Sequence, residues 1–575
     1  MSISCFIKCV FYKKINPSDF KKFYDIDKPT TGGGQTYLDA AGISNEMMVD
    51  FLSIAEKSDS PSDFRYTYTL KAYVLGKPNV QPKEIEFAPR KNRANYKISR
   101  QSMSHKHPAW DSSINDFPIP MTDSLTGQYT SNGNFVGIID NLVIIIVRTT
   151  YCRYYASFIN CSTMPSIWPT NIGLEDIFTG DRRGVINFDR YSVEFLNDFS
   201  NPFGKVIKIP LEYKTCLFSQ NKEKRNRIFF GAPGTGKSYQ LNEDRKRFPI
   251  SDLNYERITF YADYSYAQFV GTYKPVTTGS GEISYKFVPG PFMKVLVKAY
   301  KNIFDSYDVS TNTFNTSKVK PYLLLIEEIN RAHTSAVFGE VFQLLDRDDD
   351  GVSEYEIQPS EEIKEYLREN LGGTINDYYS IKLPDNMYIW ATMNSADQGV
   401  FPMDSAFKRR WDFKYIGVDD EEFFVETNPS TSIITARECQ GGTFNVAGVN
   451  IEWNVLRRAI NSKLSSPIIR AHEDKLLGPF FLKTMDSTGN ILVNDNEFIE
   501  LFCNKVIMYL FEDAAKTKRL DMFSGCKDKG KINRFSYICE EFKNHGVAIF
   551  GDNFFENEYK LQLDERNAAK NEAER

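Results

Sequence analysis

Residues 231–238 read GAPGTGKS, a glycine-rich loop of the kind that binds polyphosphate through backbone N–H groups. The apolar run Ile228-Phe229-Phe230 precedes it, and the helix-forming stretch Tyr239-Gln240-Leu241 follows. Glycines let several N–H groups turn toward one point, and the following helix adds its positive N-terminal end. We expect Lys237 to reach the β- and γ-phosphates and Ser238 to ligate Mg²⁺. The alternative is an ordinary glycine-rich turn. The predicted nucleotide site comprises Gly231, Ala232, Pro233, Gly234, Thr235, Gly236, Lys237 and Ser238.

A pair of acidic residues ends a buried-strand pattern further along the chain. Pro321 is followed by the apolar run Tyr-Leu-Leu-Leu-Ile and then by Glu327 and Glu328. Central parallel strands are buried on both faces and deliver such side chains to the carboxyl edge of the sheet, where ligands bind. We expect Glu327 to hold the Mg²⁺ shell through water and Glu328 to polarise the attacking water. The alternative is a buried strand that meets a solvated acidic turn.

Two further segments supply candidate polar groups. The stretch Met387–Asn394 is typical of another strand, at whose tip Asn394 would orient the water or sense the γ-phosphate. Residues 403–411 predict a helix end that carries the adjacent cations Lys408, Arg409 and Arg410. An arginine supplied by a neighbouring subunit raises phosphoryl-transfer rates by about 10³–10⁵. As an isolated feature, a basic helix end more commonly interacts with the helix dipole in solvent.

The wording and order of these segments resemble the McrB-type branch of the AAA+ superfamily, the motor subunits of modification-dependent restriction systems. The resemblance runs from Arg227 to Phe523, about half of the chain. Besides the phosphate loop, it rests on ITFYADYSYAQFVGTYKPV at 258–276, IEEINRAHTSAVFGEVFQLLDRD at 326–348, MNSADQG at 393–399 and HEDKLLGPFFL at 472–482. In the last of these, His472, Asp474 and Lys475 stand where a lid residue would meet nucleotide, with an exposed turn as the alternative.

The resemblance implies an NTP-hydrolysing motor, a P-loop nucleoside triphosphatase in which Arg409 or Arg410 completes the neighbouring subunit's site. It also implies a homo-oligomeric ring, expected to be a hexamer, a separate McrC-like nuclease subunit, and an N-terminal domain that selects DNA in anti-phage defence. Departures from the family pattern concern the nucleotide. Glu327 stands where most members have Asp, Gln398-Gly399 replaces the Arg-Ser associated with GTP use, and Gly478-Pro479-Phe480 replaces Gly-His-Ser. ATP is favoured, and GTP stays open.

Composition agrees with a cytoplasmic machine. The chain has 575 residues, 41% of them hydrophobic, and a formal net charge of −5, which is ordinary for soluble globular proteins. The nine cysteines form no C-x-x-C pair and are expected to be small buried hydrophobes in a reducing compartment. The N-terminus lacks the features of a signal peptide. The longest later apolar run, 142–147, is far too short to span a membrane.

The expected fold is α/β: an AAA+ P-loop core on a parallel sheet, a helical lid, and a β-rich or α+β N-terminal domain. The polar stretch SQNKEKRN at 219–226 is typical of a linker before the first motor strand. Helical periodicity is clearest at 453–464 and 498–510. The predicted boundaries are 1–215 for the N-terminal domain, 216–226 for the linker, 227–416 for the core, 417–563 for the lid and 564–575 for a charged tail.

The N-terminal half offers candidate nucleic-acid contacts. β-type runs such as 66–75 and 142–147 alternate with turn residues. The segment 90–106 is basic without an acid, and its DNA-contact candidates are Arg90, Lys91, Arg93, Tyr96, Lys97 and Arg100. Cations would reach phosphates and an aromatic ring would stack on an exposed base, although a basic solvated loop is an equal alternative. TTGGGQTYLDA at 30–40 allows close approach to DNA or a flipped base, with a plain β-turn as the alternative.

Other functions remain as alternatives. The sequence does not favour a nuclease in this chain, because the only tempting match is Asp198 with Glu212-Tyr213-Lys214, and Glu-x-Lys is a common tripeptide. The main alternative is a remodelling chaperone of the MoxR or dynein-related AAA+ type, whose N-terminal domain would bind a protein client. A nucleotide-gated binding module without turnover would require Glu328 to be idle. The recognised DNA site and the ring size are not encoded in a readable motif.

Overall fold

The computed structural model divides the chain into two compact units. It describes residues 5–14, 38–40, 43, 45–59, 66–89, 96–98, 128–129, 135–136, 142–211, 214, 223–247, 254–277, 283–394, 400–420, 423–427, 434–486 and 489–573. The first unit, which we call the recognition unit, comprises Met1–Lys222, Ala267–Lys320 and Asp346–Met387. The second, the motor unit, comprises Glu223–Tyr266, Pro321–Leu345 and Tyr388–Arg575. No helix in the described parts of the chain has both the length and the apolar character needed to cross a membrane.

The elements follow one another along the chain with short connections. The strands are β1 (Phe6–Lys14), β2 (Leu38–Asp39), β3 (Glu56–Asp59), β4 (Tyr66–Val74), β5 (Lys83–Pro89), β6 (Tyr96–Ile98), β7 (Gln128–Tyr129), β8 (Phe135–Val136), β9 (Leu142–Thr149), β10 (Tyr154–Asn160), β11 (Arg183–Asn187), β12 (Tyr191–Phe195), β13 (Phe203–Lys208), β14 (Asn226–Gly231), β15 (Tyr255–Thr259), β16 (Gly271–Thr277), β17 (Ile283–Pro289), β18 (Tyr307–Asp308), β19 (Thr313–Phe314), β20 (Tyr322–Glu327), β21 (Met387–Asn394), β22 (Asp412–Tyr415), β23 (Phe423–Thr427), β24 (Ile434–Glu438), β25 (Thr443–Val446) and β26 (Val449–Glu452). The α-helices are Asn45–Phe51, Asp176–Thr179, Lys237–Arg247, Tyr266–Phe269, Pro291–Asp305, Thr334–Phe338, Glu361–Leu371, Ser405–Lys408, Trp453–Ser465, Asp495–Leu501, Arg519–Met522, Phe535–His545 and Lys560–Ala573.

The recognition unit is built on an eleven-stranded mixed sheet. Its main order is β13-β12-β1-β9-β10-β4-β5-β6-β2, with β11 paired to β1 and β3 paired to β4. The predicted strand at 142–147 is the buried centre of the sheet, β9, and side chains from both of its faces enter apolar clusters. The predicted strand at 66–75 is β4. The β-rich prediction for this region is therefore confirmed.

Helices of the recognition unit pack on this sheet through polar as well as apolar contacts. The Arg190 backbone N–H donates to the carbonyl of Leu371, and the Asn187 amide donates to the carbonyl of Glu369. A Cβ on Gly372 would lie 2.4 Å from the Asn187 carbonyl oxygen, so only glycine allows this approach. Residues 187–190 and the helix Glu361–Leu371 are consequently held backbone to backbone.

A buried ion network joins the same sheet to the helix Pro291–Asp305. Lys8 Nζ lies 2.5 Å from Asp189 Oδ1 and 2.5 Å from Asp305 Oδ1. Lys301 Nζ lies 3.5 Å from Asp50 Oδ2 and 3.7 Å from Asp189 Oδ2. Burial alone lowers the pKa of the Lys8 ammonium, but the carboxylates of Asp189 and Asp305 raise it above its usual value, so the cation is retained.

The motor unit contains a five-stranded sheet in the order β15-β20-β21-β14-β22. The pairs β15/β20, β14/β21 and β14/β22 are parallel. Strands β20 and β21 are nearly continuous apolar runs because both faces are covered, which is the pattern that predicted them. The sheet brings the ends of β14, β20 and β21 to one carboxyl edge, and the α/β prediction is confirmed.

The C-terminal part of the motor unit is mainly helical, as predicted, and shares one apolar core around Trp453, Phe498 and Phe502. The sequence did not predict the two hairpins β23/β24 and β25/β26 within it. The second hairpin closes with Ala447 and Gly448 between Val446 and Val449, both at positive φ (52° and 84°). This geometry fits a two-residue hairpin turn, and an Ala-Gly pair is a weaker sequence signal for it than Asn-Gly.

Candidate active site

The phosphate loop adopts the conformation that its glycines permit. Gly234 and Gly236 have φ of 75° and 92°, in the left-handed region that other residues rarely adopt. The Thr235 hydroxyl donates to the Ala232 carbonyl at 3.0 Å and closes the loop. Lys237 is buried, and its ammonium donates to the carbonyls of Ala232 (2.8 Å) and Gly231 (3.0 Å). The lysine therefore lies inside the loop, at the start of the helix Lys237–Arg247.

Glu327 meets the loop through its carboxylate. Ser238 Oγ donates to Glu327 Oε2 at 2.9 Å, although 89 residues separate them. Thr392 Oγ1, on the neighbouring strand β21, donates to the same oxygen at 2.5 Å. Arg257, on strand β15, donates to Glu327 Oε1 at 2.6 Å. The two residues predicted to serve the metal thus converge, and two residues that sequence reasoning missed complete their surroundings.

Glu328 has a different environment, set by its backbone. It adopts φ 56° and ψ 48°, a left-handed conformation that is uncommon for a glutamate and is found at functional sites. Asn394 Nδ2 donates to Glu328 Oε1 at 2.6 Å, and Arg331 Nε lies 3.3 Å from Glu328 Oε2. The Glu328 backbone N–H donates to Thr392 Oγ1 at 3.1 Å. The change of backbone direction sends two consecutive carboxylates to different partners.

Asn394 is itself held in place from behind. The Asn330 amide donates to the Asn394 backbone carbonyl at 2.7 Å. The predicted pairing of Asn394 with the acidic tip of β20 is therefore a direct hydrogen bond to Glu328. Residues 395–399, which belong to the MNSADQG motif, lie outside the described residues.

The two candidate arginines differ in their surroundings. Arg410 donates to the Ala406 carbonyl at 2.8 Å, and its guanidinium carbon lies 3.9 Å from the centre of the Phe342 ring. Arg409 is exposed, and no ion pair joins it to the described residues. Asp404 caps this helix: the Phe407 N–H and then the Ser335 hydroxyl hold the pKa of its carboxyl below the usual range. Arg409 is thus presented outward by a capped helix.

The segment Gly478–Phe481 lies directly on the phosphate loop. The Gly478 N–H donates to the Pro233 carbonyl at 2.9 Å, and the Phe480 N–H donates to the Gly234 carbonyl at 2.8 Å. The Phe480 ring stacks on Tyr239 with centroids 5.4 Å apart. Nearby, Lys475 pairs with Asp513 at 3.1 Å. It is the Gly-Pro-Phe-Phe stretch, more than the predicted His472, Asp474 and Lys475, that meets the loop.

A weak signal existed for the residues that were missed. Thr392 alternates with Asn394 on β21, and Arg257 lies two residues before Thr259, the register partner of Glu327. Their roles depend on which strands are neighbours, and sequence spacing does not state this. Arg331 lies three residues after Glu328, within the motif that begins at Ile326, but nothing in that motif indicates its ion pair.

The N-terminal candidates are placed less completely. Tyr96 is buried, at 3% exposure, with its ring edge-on to Tyr68 at 5.8 Å, so it is a core residue and is not available to stack on a base. Lys97 is in the middle of β6, while Arg90, Lys91, Arg93 and Arg100 lie outside the described residues, as does 30–37. Asp198 accepts from the Ser200 N–H and hydroxyl in a turn, and 212–213 are not described.

The donor set fits a magnesium nucleotide. Mg²⁺ is usually bound by one or two protein oxygens together with substrate phosphates and water, and Ser238 Oγ and the Glu327 carboxylate provide such a pair. The loop N–H groups and the helix N-terminus would hold the phosphates. In the described residues no group of three or more His, Cys, Asp or Glu side chains could hold a metal ion by itself, which agrees with a site completed by substrate.

Comparison with known proteins agrees with this geometry. The family model of the AAA domain (dynein-related subfamily) matches residues 226–411, which span β14, β20, β21 and the helix that presents Arg409. The fold and the site therefore define a P-loop NTPase of the AAA+ class.

Two curated relatives give the branch. The chain is 41% identical over 316 residues to the component YdiS of the type II restriction enzyme BsuMI from Bacillus subtilis (strain 168), covering 51% of this chain and 80% of YdiS. It is 28% identical over 209 residues to the EcoKMcrB subunit of a type IV methyl-directed restriction enzyme from Escherichia coli (strain K12), covering 35% of this chain and 37% of that protein. The chain belongs to the McrB-type AAA+ NTPases of restriction systems.

Proposed function

We propose that this protein is the nucleotide-hydrolysing motor subunit of a restriction system, acting as a ring, with DNA recognition in its N-terminal half and a separate nuclease partner. The observation that carries the proposal is the arrangement of Ser238, Glu327, Glu328 and Asn394 at one edge of the motor sheet. It places a metal-ligand pair beside a second carboxylate that an amide orients.

In the proposed reaction, the loop N–H groups and Lys237 bind the phosphates, and Ser238 and Glu327 hold Mg²⁺, which when bound neutralises developing charge on the transferred group. Glu328 accepts a proton from the attacking water. Asn394 holds Glu328 through Oε1, so the base keeps one orientation while Arg331 contacts the other oxygen. ATP is the favoured nucleotide and GTP the alternative.

A ring is proposed because one cation near the site faces outward. Arg409 is exposed, whereas Arg410 lies on Phe342 and donates to its own helix, so Arg409 is the better candidate to act in a neighbouring subunit. A hexamer is the expected assembly. Arg410 would then have a structural role, holding the helix that presents Arg409.

DNA and an McrC-like nuclease are the proposed partners. The names of the two relatives place them in restriction enzymes, and EcoKMcrB is a subunit of a methyl-directed one. The contacts of residues 187–190 with the helix Glu361–Leu371 support a recognition domain that is docked on the helices of its unit and not carried on a free tether.

The test of the chemistry is Glu328→Gln. This change keeps the shape and the hydrogen-bonding capacity of the side chain but removes the base, so nucleotide binding should persist while turnover falls by about 10²-fold or more. Lys237→Ala should weaken nucleotide binding itself, because the phosphates lose their cation. The measurements are phosphate release and binding of fluorescent ATP and GTP analogues.

A matched control is Glu512→Gln, an acidic residue in the helical part of the motor unit, away from the loop. It should leave both measurements unchanged. Parental turnover in Glu328→Gln would remove Glu328 from the role of base, and absence of turnover in the parent chain with DNA and nuclease partner present would contradict the proposed motor.

A further inference from the structure

Arg257 contacts the metal carboxylate from the edge of the motor sheet. It lies on β15, opposite Leu325 of β20, and its guanidinium reaches two residues along the strand to Glu327 Oε1, at 2.6 Å. Its side chain is 51% exposed, whereas that of Glu327 is 12% exposed. An ion pair with a half-exposed arginine contributes little to folding, so stability is a weak reason for this contact.

The contacts of Glu327 are divided between its two oxygens. Oε2 receives the hydroxyls of Ser238 and Thr392, while Oε1 receives Arg257. A glutamate has one more rotatable bond than an aspartate, so its carboxylate needs more restraints to keep one orientation. A charge-assisted bond from a planar guanidinium supplies such a restraint on the oxygen that the two hydroxyls leave uncovered.

We propose that Arg257 is a positioning residue for the Glu327 carboxylate, and that it acts on the metal and nucleotide site only through Glu327. The inference rests on the proposed function in one respect, that Glu327 serves Mg²⁺. Groups that hydrogen-bond a ligating carboxylate typically contribute 10- to 100-fold to metal affinity or activity. Because Thr392 also restrains Glu327, we expect the lower end of that range.

The test measures the Mg²⁺ dependence of binding, not turnover. In the full chain, fluorescent ATP and GTP analogues are titrated with Mg²⁺. Arg257→Ala should raise the Mg²⁺ concentration for half-maximal binding by about 10-fold, with metal-free nucleotide binding and thermal unfolding unchanged. Arg257→Lys keeps the charge but loses the planar donor, so it should fall between the parent and Arg257→Ala.

The double change with Glu327→Asp shows whether Arg257 acts through Glu327. Aspartate withdraws the carboxylate by about 1.5 Å, which takes the 2.6 Å contact out of hydrogen-bond range. In that background Arg257→Ala should change the Mg²⁺ requirement by less than about two-fold, within the usual error of additivity.

Three outcomes would overturn the inference. They are tighter Mg²⁺ binding in Arg257→Ala, an unchanged requirement, or an equal effect of Arg257→Ala in the parent chain and in the Glu327→Asp background. Tighter binding would mean that the guanidinium mainly repels the ion. A parent chain whose nucleotide binding does not depend on Mg²⁺ would instead refute the proposed metal role of Glu327.

Discussion

Gly478→Ala is the substitution with the most local effect on the phosphate loop. Gly478 has φ −85° and ψ 168°, a conformation open to any residue, so backbone freedom does not require the glycine. Space requires it. An added Cβ would lie 2.3 Å from Gly234 C, from Gly234 O and from Thr235 N, all backbone atoms of the loop.

The size of the displacement follows from these distances. Ordinary van der Waals contact begins at 3.4 Å, so either the loop or the segment Gly478–Phe481 must move by about 1.1 Å, the difference between 3.4 and 2.3 Å. A flexible side chain could give way, but backbone atoms that also accept from Gly478 and Phe480 cannot do so independently. Misplacing a catalytic framework by about 1 Å can lower the rate by about 10²-fold.

Gly478→Ala should therefore reduce turnover by about 10²-fold and weaken nucleotide binding, while the protein stays folded. The assays are phosphate release, fluorescent nucleotide binding and thermal unfolding. Gly530→Ala is the matched control in the same unit, because its Cβ would meet only the flexible Asp528 side chain, at 3.2 Å. If Gly478→Ala is folded and keeps parental affinity and turnover, the close contact does not constrain the loop and the reasoning fails.

Three other predictions test the remaining parts. Asp189→Asn should lower the free energy of unfolding by about 3 kcal/mol, because it leaves buried ammonium groups short of a partner, whereas Asp305→Asn, at an exposed carboxylate on the same lysine, should cost at most about 1 kcal/mol; urea midpoints of the full chain measure both, and equal losses would contradict the buried network. Mixing Arg409→Ala chains with Glu328→Gln chains should restore part of the turnover, since one interface type then has both groups intact; no recovery at any ratio in assembled rings, or full turnover by a monomer, argues against action between subunits. Replacing Arg90, Lys91, Arg93 and Arg100 by Ala should weaken DNA binding and reduce its salt slope by about one for each phosphate that the protein no longer neutralises, and an unchanged slope would separate this segment from DNA.

The DNA measurement is best made on the full chain. Asn187 and Arg190 hydrogen-bond to the helix Glu361–Leu371, and Lys8 and Asp189 pair with residues of the helix Pro291–Asp305. An isolated fragment 1–215 would expose these groups, so a failure to bind DNA could result from an altered fold.

The sequence by itself determined the parts of the site that are local. The spacing of glycines in 231–238, the acids after an apolar run and the strand at Met387–Asn394 each specify their structure within one short segment. Their chemistry could be predicted because a contiguous loop needs no neighbour to turn its N–H groups toward a phosphate. The apolar runs likewise state that the strands are buried on both faces.

Only the tertiary structure decided which distant residues serve that site. Arg257 reaches Glu327 across 70 residues because β15 and β20 are adjacent, and the alternation of side chains does not encode strand order. Gly478 meets Gly234 because the helical core around Trp453 fixes where its segment lies. Tyr96 shows the converse: among basic residues it resembles a base-stacking ring, but the pairing of β6 with β5 turns it into the core. Burial depends on what packs against a face, and that is a property of the folded chain.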